Sequence, residues 1–319
     1  MTRYLVRRIL IAIPTLIAMS FILFMILALA PGDPMSQFAA NPAVPPEVRE
    51  NIKRSLGLDQ PPYIRYVKWL TAAAQGDLGY SFASRVPVTT LIWQRLPNTL
   101  WIVGTAYLIA VVFAIPIGVI SAVRKYSVFD QTSTTFSFIG FSMPTFFTGT
   151  LFIIIFSVKL GWLPFIYDST LKVTNFQTFV EMLKQSIMPI TVLALFQMAT
   201  LTRFTRSSML DNLPQDYVRT ARAKGLQEQV VIRGHVLRNS LIPVVTLIAL
   251  SLPAIFTGAI VTEQIFRVPG IGDLLINSIF NSDTPVVMAI VFISAVLVVV
   301  FNLLVDVIYA FLDPRIKYD

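Results

Sequence analysis

A chain of 319 residues that is 55% hydrophobic and only 13% charged falls far outside the composition of soluble domains, in which roughly 25% of residues are charged. Its mean hydropathy of +0.71 and net charge of +8 predict an integral membrane protein instead. The chain has no cysteine, which excludes disulfides and thiolate chemistry, and its one histidine, His235, cannot form a zinc site unaided.

Charged residues are clustered along the chain, so that six long intervals carry none. Each interval is near or above the ~20 residues that a helix needs to cross the hydrocarbon core of a bilayer. The sequence therefore predicts an all-α integral membrane protein with six transmembrane helices. The intervals are 9–30, 96–123, 131–158, 185–202, 239–262 and 284–305.

The first interval, within residues 1–30, has features of a secretory signal, because arginines precede it and it ends in Ala30. The apolar core of a signal peptide is usually about 7 to 15 residues long. This run is longer, and Pro31 follows the possible cleavage site. We therefore predict a retained first transmembrane helix.

The distribution of Lys and Arg predicts that both termini are cytoplasmic. In that orientation fourteen of the 25 basic residues lie in cytoplasmic segments and four lie in short outer connections. The other seven lie in residues 31–98, a loop too long for the positive-inside rule to constrain. The basic residues are not interleaved with aromatic side chains, so nucleic acid is not an expected partner.

Residues 31–98 form the one sizeable extracytoplasmic segment in this topology. Prolines interrupt it repeatedly, and residues 47–56 have a helix-like pattern. The segment contains no residue pattern typical of catalysis. Two interpretations stay open, a structured cap over the helices and a surface that receives a substrate-binding protein.

A polar segment at residues 203–240, between the fourth and fifth intervals, carries seven of the basic residues. Its simplest interpretation is two short helices joined at Gly225, which supplies a left-handed residue. Pro214 suits the first turn of the first helix, Asp216 complements the positive end of its dipole, and Arg222 and Lys224 complement the negative end.

Each of these two helices is predicted to have one apolar side. In the first helix that side consists of Tyr217, Val218 and Ala221. In the second, the predicted apolar side consists of Leu226, Val230, Leu237 and Leu241. Spacing alone leaves two interpretations open, a solvated loop whose charges fix membrane orientation and a docking element for another protein.

Prolines and polar residues within the apolar intervals are candidates for facing a pathway, because proline frees backbone carbonyls that must meet other helices or water. The third interval has Ser142, Met143 and Pro144 near its middle. We expect the fourth and fifth helices to line the passage, with Gln197, Thr200, Ser251 and Thr257 as candidate lining residues. Packing kinks and helix–helix hydrogen bonds are the alternative explanation.

RTARAKG at residues 219–225, followed by HVLRNSLIPVVT at 235–246, resembles the EAA loop of permease subunits of bacterial ABC importers. The form is similar to that of dipeptide, oligopeptide and nickel permeases, although Arg219 stands where a glutamate is usual. GDLGYSF at 76–82 and VTEQIFRVPGIGDLL at 261–275 resemble other parts of the first of their two permease subunits. The resemblance covers most of the chain.

The resemblance implies a multi-pass protein of the bacterial inner membrane, with a core permease domain at residues 99–319 and a coupling helix within residues 211–243. It implies four kinds of partner: a second permease subunit, two cytoplasmic ATPases that bind ATP and Mg, an extracytoplasmic substrate-binding protein, and membrane lipid. The residues implied at the ATPase contact are Asp216, Tyr217, Arg219, Thr220, Ala221, Arg222, Lys224 and Gly225.

The sequence contains no GxxxxGK[ST] motif and therefore no Walker A loop to cradle phosphates. We expect no catalytic residue, cofactor or metal in this chain, and an energy source in its partners. A peptide importer is the expected function, with nickel and glutathione import as alternatives. A carrier driven by an ion gradient and a membrane scaffold or sensor are the rival classes, although no convincing inverted repeat is visible.

Overall fold

The computed structural model describes residues 2–29, Glu47, Glu50, Arg54 and residues 57–312, together with the side chains of most of these residues. The described residues form helices and one isolated bridge between Tyr80 and Pro87. Most of the predicted 47–56 helix and the end of the chain lie outside the described residues. The helices are α1 Thr2–Leu29, α2 Pro62–Ala74, α3 Val88–Val123, α4 Val128–Ser142, α5 Thr145–Lys159, α6 Phe176–Asn212, α7 Asp216–Ala223, α8 Glu228–Thr257, α9 Ile260–Phe266, α10 Ile271–Phe280 and α11 Thr284–Leu312.

Five helices in the described part of the chain are long and apolar enough to cross a membrane: α1, α3, α6, α8 and α11. The sixth predicted span is not one straight helix, because α4 and α5 meet at an angle of 99°. The prediction of six spans is therefore confirmed only if this bent pair is counted as one.

The bend between α4 and α5 lies at Met143 and Pro144. Met143 has an extended backbone with φ −85° and ψ 120°, as is usual for a residue before proline. Pro144 is also extended, with ψ 139°, and the next helix begins directly after it. Proline offers no backbone N–H and disfavours a helical conformation of the residue before it, and here the extended Met143 and Pro144 end α4.

Helix α6 contains 37 residues and extends well beyond its predicted interval of 185–202. Its first turn is fixed by a capping box, in which the Asn175 side chain accepts from the Thr178 backbone N–H and the Thr178 hydroxyl accepts from the Asn175 backbone N–H. At 1.5 Å per residue it is about 55 Å long, longer than the ~30 Å of hydrocarbon. Residues 203–212, predicted as part of a polar loop, are helical.

The second short helix predicted after Gly225 is not a separate element. Residues 228–257 form the single helix α8, whose segment Val231–Val236 is π-helical. Its buried residues near this end are Val231, Val236 and Ser240, whereas Leu226 and Val230 are exposed. The predicted apolar side is therefore wrong at Leu226 and Val230, which precede the π-helical segment, whereas the predicted Leu237 is partly buried against the cluster that contains Val236. A π-helical turn shifts the register of the residues that follow it, which is why Val236 and Ser240 are the buried positions.

Helix α3 packs along α6 at the centre of the bundle, and the contact is close at Gly118. A Cβ atom added there would lie 2.7 Å from Cβ of Thr205 and 2.8 Å from the carbonyl oxygen of Thr202. The two ends of α3 belong to different clusters. Val88 packs with Val286 at the start of α11, and Ala122 packs with Val218 of α7. Helix α7 and the start of α11 therefore lie at opposite ends of the bundle.

Candidate coupling site and adjoining cavity

Helix α7 is a short polar helix whose ends match the sequence prediction. Asp216 is in its first turn and Arg222 is in its last, where each charge complements the helix dipole. Gly225 has φ +78°, the left-handed conformation expected of a residue that ends a helix, and its N–H donates to the carbonyl of Arg222 at 2.9 Å. Pro214 precedes the cap residue Gln215, so it lies just outside the first turn where it was predicted.

One face of α7 is buried in its own chain. Val218 is fully buried and Ala221 is 5% exposed. They pack in one cluster with Ala122 from the end of α3, Met209 from α6 and Val231 from α8. Small and β-branched side chains at this contact let α7 lie close against the ends of three spanning helices. Of the eight residues predicted at a partner contact, Ala221 is the one that the structure buries.

The other seven predicted contact residues are exposed on α7 or directly after it. Two ion pairs organise this face: Arg219 lies 3.4 Å from Asp216, and Arg222 donates to both carboxylate oxygens of Glu228 at 2.7 and 3.1 Å. The hydrogen bond to Glu228 raises the pKa of Arg222. The exposed residues are Asp216, Tyr217, Arg219, Thr220, Arg222, Lys224 and Gly225.

Helix α6 is joined to α8 next to α7 by a reciprocal pair of hydrogen bonds. The Ser208 hydroxyl donates to the Ser240 carbonyl at 2.7 Å, and the Ser240 hydroxyl donates to the Ser208 carbonyl at 3.2 Å. Both serines are buried. Two of the spanning helices that α7 packs against are therefore fastened to each other.

A buried ion pair that the sequence analysis missed joins α6 to α4. Arg206 donates from Nε to Oδ1 of Asp130 and from Nη2 to Oδ2, and the Asp130 side chain is only 3% exposed. Asp130 also accepts from the Tyr126 backbone N–H at 2.8 Å. The sequence places both charges just outside apolar intervals, but it does not indicate that they meet.

A cavity of about 470 Å³ lies in the angle between α4, α5 and α6. Its walls are mostly apolar, and they include Phe136, Met143, Leu195 and Ala199. A few small polar residues, among them Ser137, also face it. The bend at Pro144 therefore opens a space within the span that the sequence predicted as a straight helix.

The four residues predicted to line a pathway are not among the residues that line this cavity. Gln197 is half-buried on α6, and Thr200 on the same helix is 3.4 Å from the Phe196 carbonyl that it donates to. Ser251 and Thr257 on α8 donate to carbonyls of their own helix, at 2.7 and 3.0 Å. Their role in a pathway stays a prediction.

A second site that the sequence analysis missed is built around Glu263 of α9. This side chain is fully buried, and its carboxylate accepts from the Thr99 hydroxyl and from the Asp273 backbone N–H, both at 2.9 Å. Thr99 in turn accepts from the Ile271 N–H at 2.8 Å. Burial raises the pKa of Glu263 despite these donors.

Three glycines enclose the Glu263 carboxylate. A Cβ atom added at Gly258, Gly270 or Gly272 would lie 2.6, 2.4 or 2.9 Å from it. The glycines permit a close approach that another residue type would block. The Glu263 site therefore fastens the segment after α8 to α3 and α10, at the end of the bundle away from α7.

Among the residues that the structure describes, there is no cluster of three or more His, Cys, Asp or Glu that could hold a metal ion. The geometry instead combines apolar spans, a mid-span bend and a polar helix at one end. These features define a membrane-spanning transport subunit.

The chain belongs to the family described as binding-protein-dependent transport system inner membrane components. The family model matches residues 114–318, and the model of the family's N-terminal region matches residues 1–103. The chain is thus a multi-pass inner-membrane permease of an ABC importer, and it is not itself an ATPase. It acts in a complex with other subunits.

Two curated relatives match over the whole length of both chains. The oligopeptide transport system permease protein AppB of Bacillus subtilis (strain 168) is 46% identical over 319 residues. The glutathione transport system permease protein GsiC of Escherichia coli O6:H1 is 40% identical over 318 residues. The same protein from Escherichia coli (strain K12) is 39% identical.

Proposed function

We propose that this chain forms half of the translocation pathway of a peptide importer and is driven by ATPase subunits through α7. The observation that carries the proposal is the two-sided character of α7. Its exposed face carries charges of both signs, and its buried face is packed against the ends of α3, α6 and α8. A partner that moves α7 therefore moves three spanning helices.

The partners follow from this arrangement and from the family. Two cytoplasmic ATPases bind ATP and Mg, and one of them receives α7. An extracytoplasmic binding protein delivers the cargo at the opposite end. A second, similar permease completes the pathway, and it covers part of the exposed apolar surface of α4 and α5. That surface includes Phe136, Phe138, Phe146 and Phe147, which are 47% to 73% exposed in the isolated chain.

This arrangement requires both termini of the chain to be cytoplasmic. Helix α7 is then cytoplasmic, because it lies at the end of the bundle where α3 and α6 end and α8 begins. The long segment before α3 is extracytoplasmic. Its described part, α2, packs on the second half of α1 and on the beginning of α11.

Peptides are the proposed cargo. AppB is named for oligopeptides, and GsiC is named for glutathione, which is itself a small peptide. Both relatives match this chain from end to end, so they support the same class of substrate. Glutathione is the second candidate cargo.

The mechanism that we propose is alternating access. Closure of the ATPases displaces α7, whose buried face pushes on the end of α6. The Ser208 and Ser240 hydrogen bonds carry the displacement to α8, and the Asp130–Arg206 pair carries it to α4. Because α4 and α5 meet at a sharp bend, a movement of α4 changes the cavity between them and α6.

Purification of the tagged chain from its native membrane tests this function. We expect two ATPases and a second permease to copurify with it, and we expect the reconstituted complex to import peptide only with ATP. Transport by the purified chain alone in liposomes, driven by an ion gradient, would contradict the proposal and support a secondary carrier. Copurification without any ATP-dependent transport would support a scaffold.

A further inference from the structure

A second cavity, of about 420 Å³, lies at the end of the bundle opposite α7. It is formed between α2, the second half of α1, the beginning of α11 and the turn at residues 77–82. Its volume is within the ~300–1,000 Å³ that is typical of small-molecule sites. Neither the coupling helix nor the cavity at the α4–α5 bend contributes to it.

The walls of this cavity have two chemically different parts. The apolar part includes Phe24 of α1, Trp69 of α2 and Met288 of α11. The polar part carries three cations and one acid among the described residues, so it favours an anion. The cations are Arg54, Arg65 and Lys68, and the acid is Asp77. Arg54 also forms an ion pair with Glu50 at 3.5 Å, so Arg65 and Lys68 are the cations that we assign to a ligand.

Two residues that line the cavity carry buried polar atoms without a hydrogen-bond partner in the described part of the chain. These atoms are Nε1 of Trp69, which can only donate, and Oε1 of Gln60, which can only accept. Leaving such groups unpaired costs free energy. Both atoms are closed off from the cavity, so recognition of a ligand there depends on the cations and the apolar wall.

The site is built on a fixed support. The Tyr66 hydroxyl of α2 donates to the Ile17 carbonyl of α1 at 3.0 Å and lies 2.9 Å from the Ser20 hydroxyl. Trp69 makes an edge-to-face contact with Phe292 of α11, with ring centroids 5.2 Å apart. Helix α2 is thereby held against two spanning helices.

The apolar wall lies at the depth of the membrane interface. Phe24 is five residues before the end of α1 and Met288 is four residues after the start of α11, so each lies roughly 6 to 8 Å from its helix end. The Arg65 guanidinium lies over the Phe24 ring, 5.8 Å from its centroid, so cationic and apolar groups adjoin at this depth. An amphiphile fits this arrangement, because its acyl chains would lie along the apolar wall and its headgroup among the cations.

We propose that this cavity binds an anionic phospholipid of the phosphatidylglycerol type. Its phosphate lies near Arg65 and Lys68, and its acyl chains lie along the apolar wall. The proposed topology places this lipid in the outer leaflet of the inner membrane. The proposal requires a membrane-embedded chain but not coupling through α7, so the two can fail separately.

The test uses the purified complex in nanodiscs of phosphatidylglycerol and phosphatidylethanolamine. The retained lipid is identified by mass spectrometry after transfer to detergent. We expect the wild type to retain phosphatidylglycerol selectively. The double variant Arg65→Gln with Lys68→Gln should retain it on the order of tenfold less, since each cation near an anionic surface contributes a several-fold factor.

Two variants complete the design. Trp69→Phe keeps the aromatic contact with Phe292 and removes only a buried N–H that has no partner in the described part of the chain, so we expect lipid retention close to that of the wild type. Lys172→Gln with Lys184→Gln, a loss of the same two charges at exposed residues outside the cavity, should retain lipid as the wild type does.

Equal retention by the double variant and the wild type would overturn the proposal, as would equal retention of phosphatidylethanolamine. Quenching of Trp69 fluorescence by brominated phosphatidylglycerol, compared with Trp69→Phe, gives an independent measurement. Inorganic phosphate should not compete with that quenching. Competition by inorganic phosphate alone would identify a free-anion site instead of a lipid site. Loss of binding-protein docking in the double variant with unchanged lipid retention would identify a protein-docking surface.

Discussion

Arg206 of α6 donates two hydrogen bonds to Asp130 of α4, from Nε to Oδ1 at 2.5 Å and from Nη2 to Oδ2 at 2.8 Å. The Asp130 side chain is 3% exposed and that of Arg206 is 24% exposed. The pair joins α6, which is followed by α7, to α4, which lines the cavity between α4, α5 and α6. In the mechanism that we propose, the pair carries a movement of α6 to α4.

Removing one partner of this pair should destabilise the protein. Asp130→Asn leaves the Arg206 charge half-buried and unpaired, and we expect a loss of about 2 to 4 kcal/mol in the free energy of unfolding. The double variant Asp130→Asn with Arg206→Gln removes both charges and should recover part of that loss. Thermal unfolding of the purified complex in detergent checks this. An unchanged melting temperature in the single variant would show that the pair does not contribute.

Gly225 should be sensitive to substitution because of its backbone conformation alone. It has φ +78°, and an added Cβ atom would meet nothing within 4 Å, so a β-branched residue adds strain of roughly 1 to 2 kcal/mol without a clash. We expect Gly225→Val to insert normally but to hydrolyse ATP without importing peptide. The measurement is ATPase activity and uptake in the same proteoliposomes.

Gly234 provides a matched control for that variant. An added Cβ atom at Gly234 also meets nothing within 4 Å, but its backbone is helical, so Gly234→Val adds no left-handed strain. We expect it to keep coupled transport. Normal uptake by Gly225→Val would show that the left-handed turn at Gly225 is not needed for coupling.

The absence of native cysteine makes single-cysteine variants unambiguous. If α6 and α8 line the pathway, cysteines at Gln197 and Ser251 should react with water-soluble thiol reagents in the assembled importer. Cysteine at Ser137 reports on the cavity between α4, α5 and α6 in the same assay. Protection at Gln197 and Ser251 together with reaction at Ser137 would indicate that the pathway runs through that cavity and not along these faces of α6 and α8.

Stability should depend on pH through Glu263. Burial raises its pKa in the folded protein above the ordinary value for glutamate, so the folded state binds the proton more tightly than the unfolded state does. This contribution to stability is therefore fully present below the ordinary pKa and is lost as the pH rises through the raised value. Glu263→Gln should flatten that part of the pH profile of thermal unfolding. An unchanged profile in Glu263→Gln would show that Glu263 does not cause this pH dependence of stability.

The glycine enclosure of Glu263 can be tested separately. An added Cβ atom at Gly270 would lie 2.4 Å from the carboxylate, so Gly270→Ala should destabilise the complex by roughly 1 to 3 kcal/mol. Gly234→Ala is the control, since an added Cβ atom there meets nothing within 4 Å and its backbone is helical. Equal melting temperatures for the two variants would show that the enclosure is not tight.

The sequence predicted those features that depend on local chemistry. Charge-free intervals located the spans, and the charges around Gly225 located α7 and its left-handed end. The sequence shows a proline at position 144, but it does not show the 99° angle between α4 and α5, because that angle depends on how α5 packs against α6 and α9. Likewise, the π-helical turn of α8 changed which residues are buried.

The contacts of Asp130 and Glu263 could not be predicted, because each joins residues far apart in the chain. Arg206 is 76 positions from Asp130, and Thr99 is 164 positions from Glu263. A single sequence carries no signal for such pairings. The glycines around Glu263 can be read from the sequence, but only the fold shows that they enclose its carboxylate.

Crosslinking from α7 tests the central claim most directly. Thr220 and Thr71 are both exposed helical threonines whose hydroxyls donate to a preceding carbonyl, but they lie on α7 and α2, at opposite ends of the bundle. We predict that a bifunctional thiol reagent links cysteine at Thr220 to an ATPase subunit, in a yield that changes with ATP, and that cysteine at Thr71 gives no such link. A link to the ATPase from Thr71, or none from Thr220 in an assembled and active importer, would contradict the account.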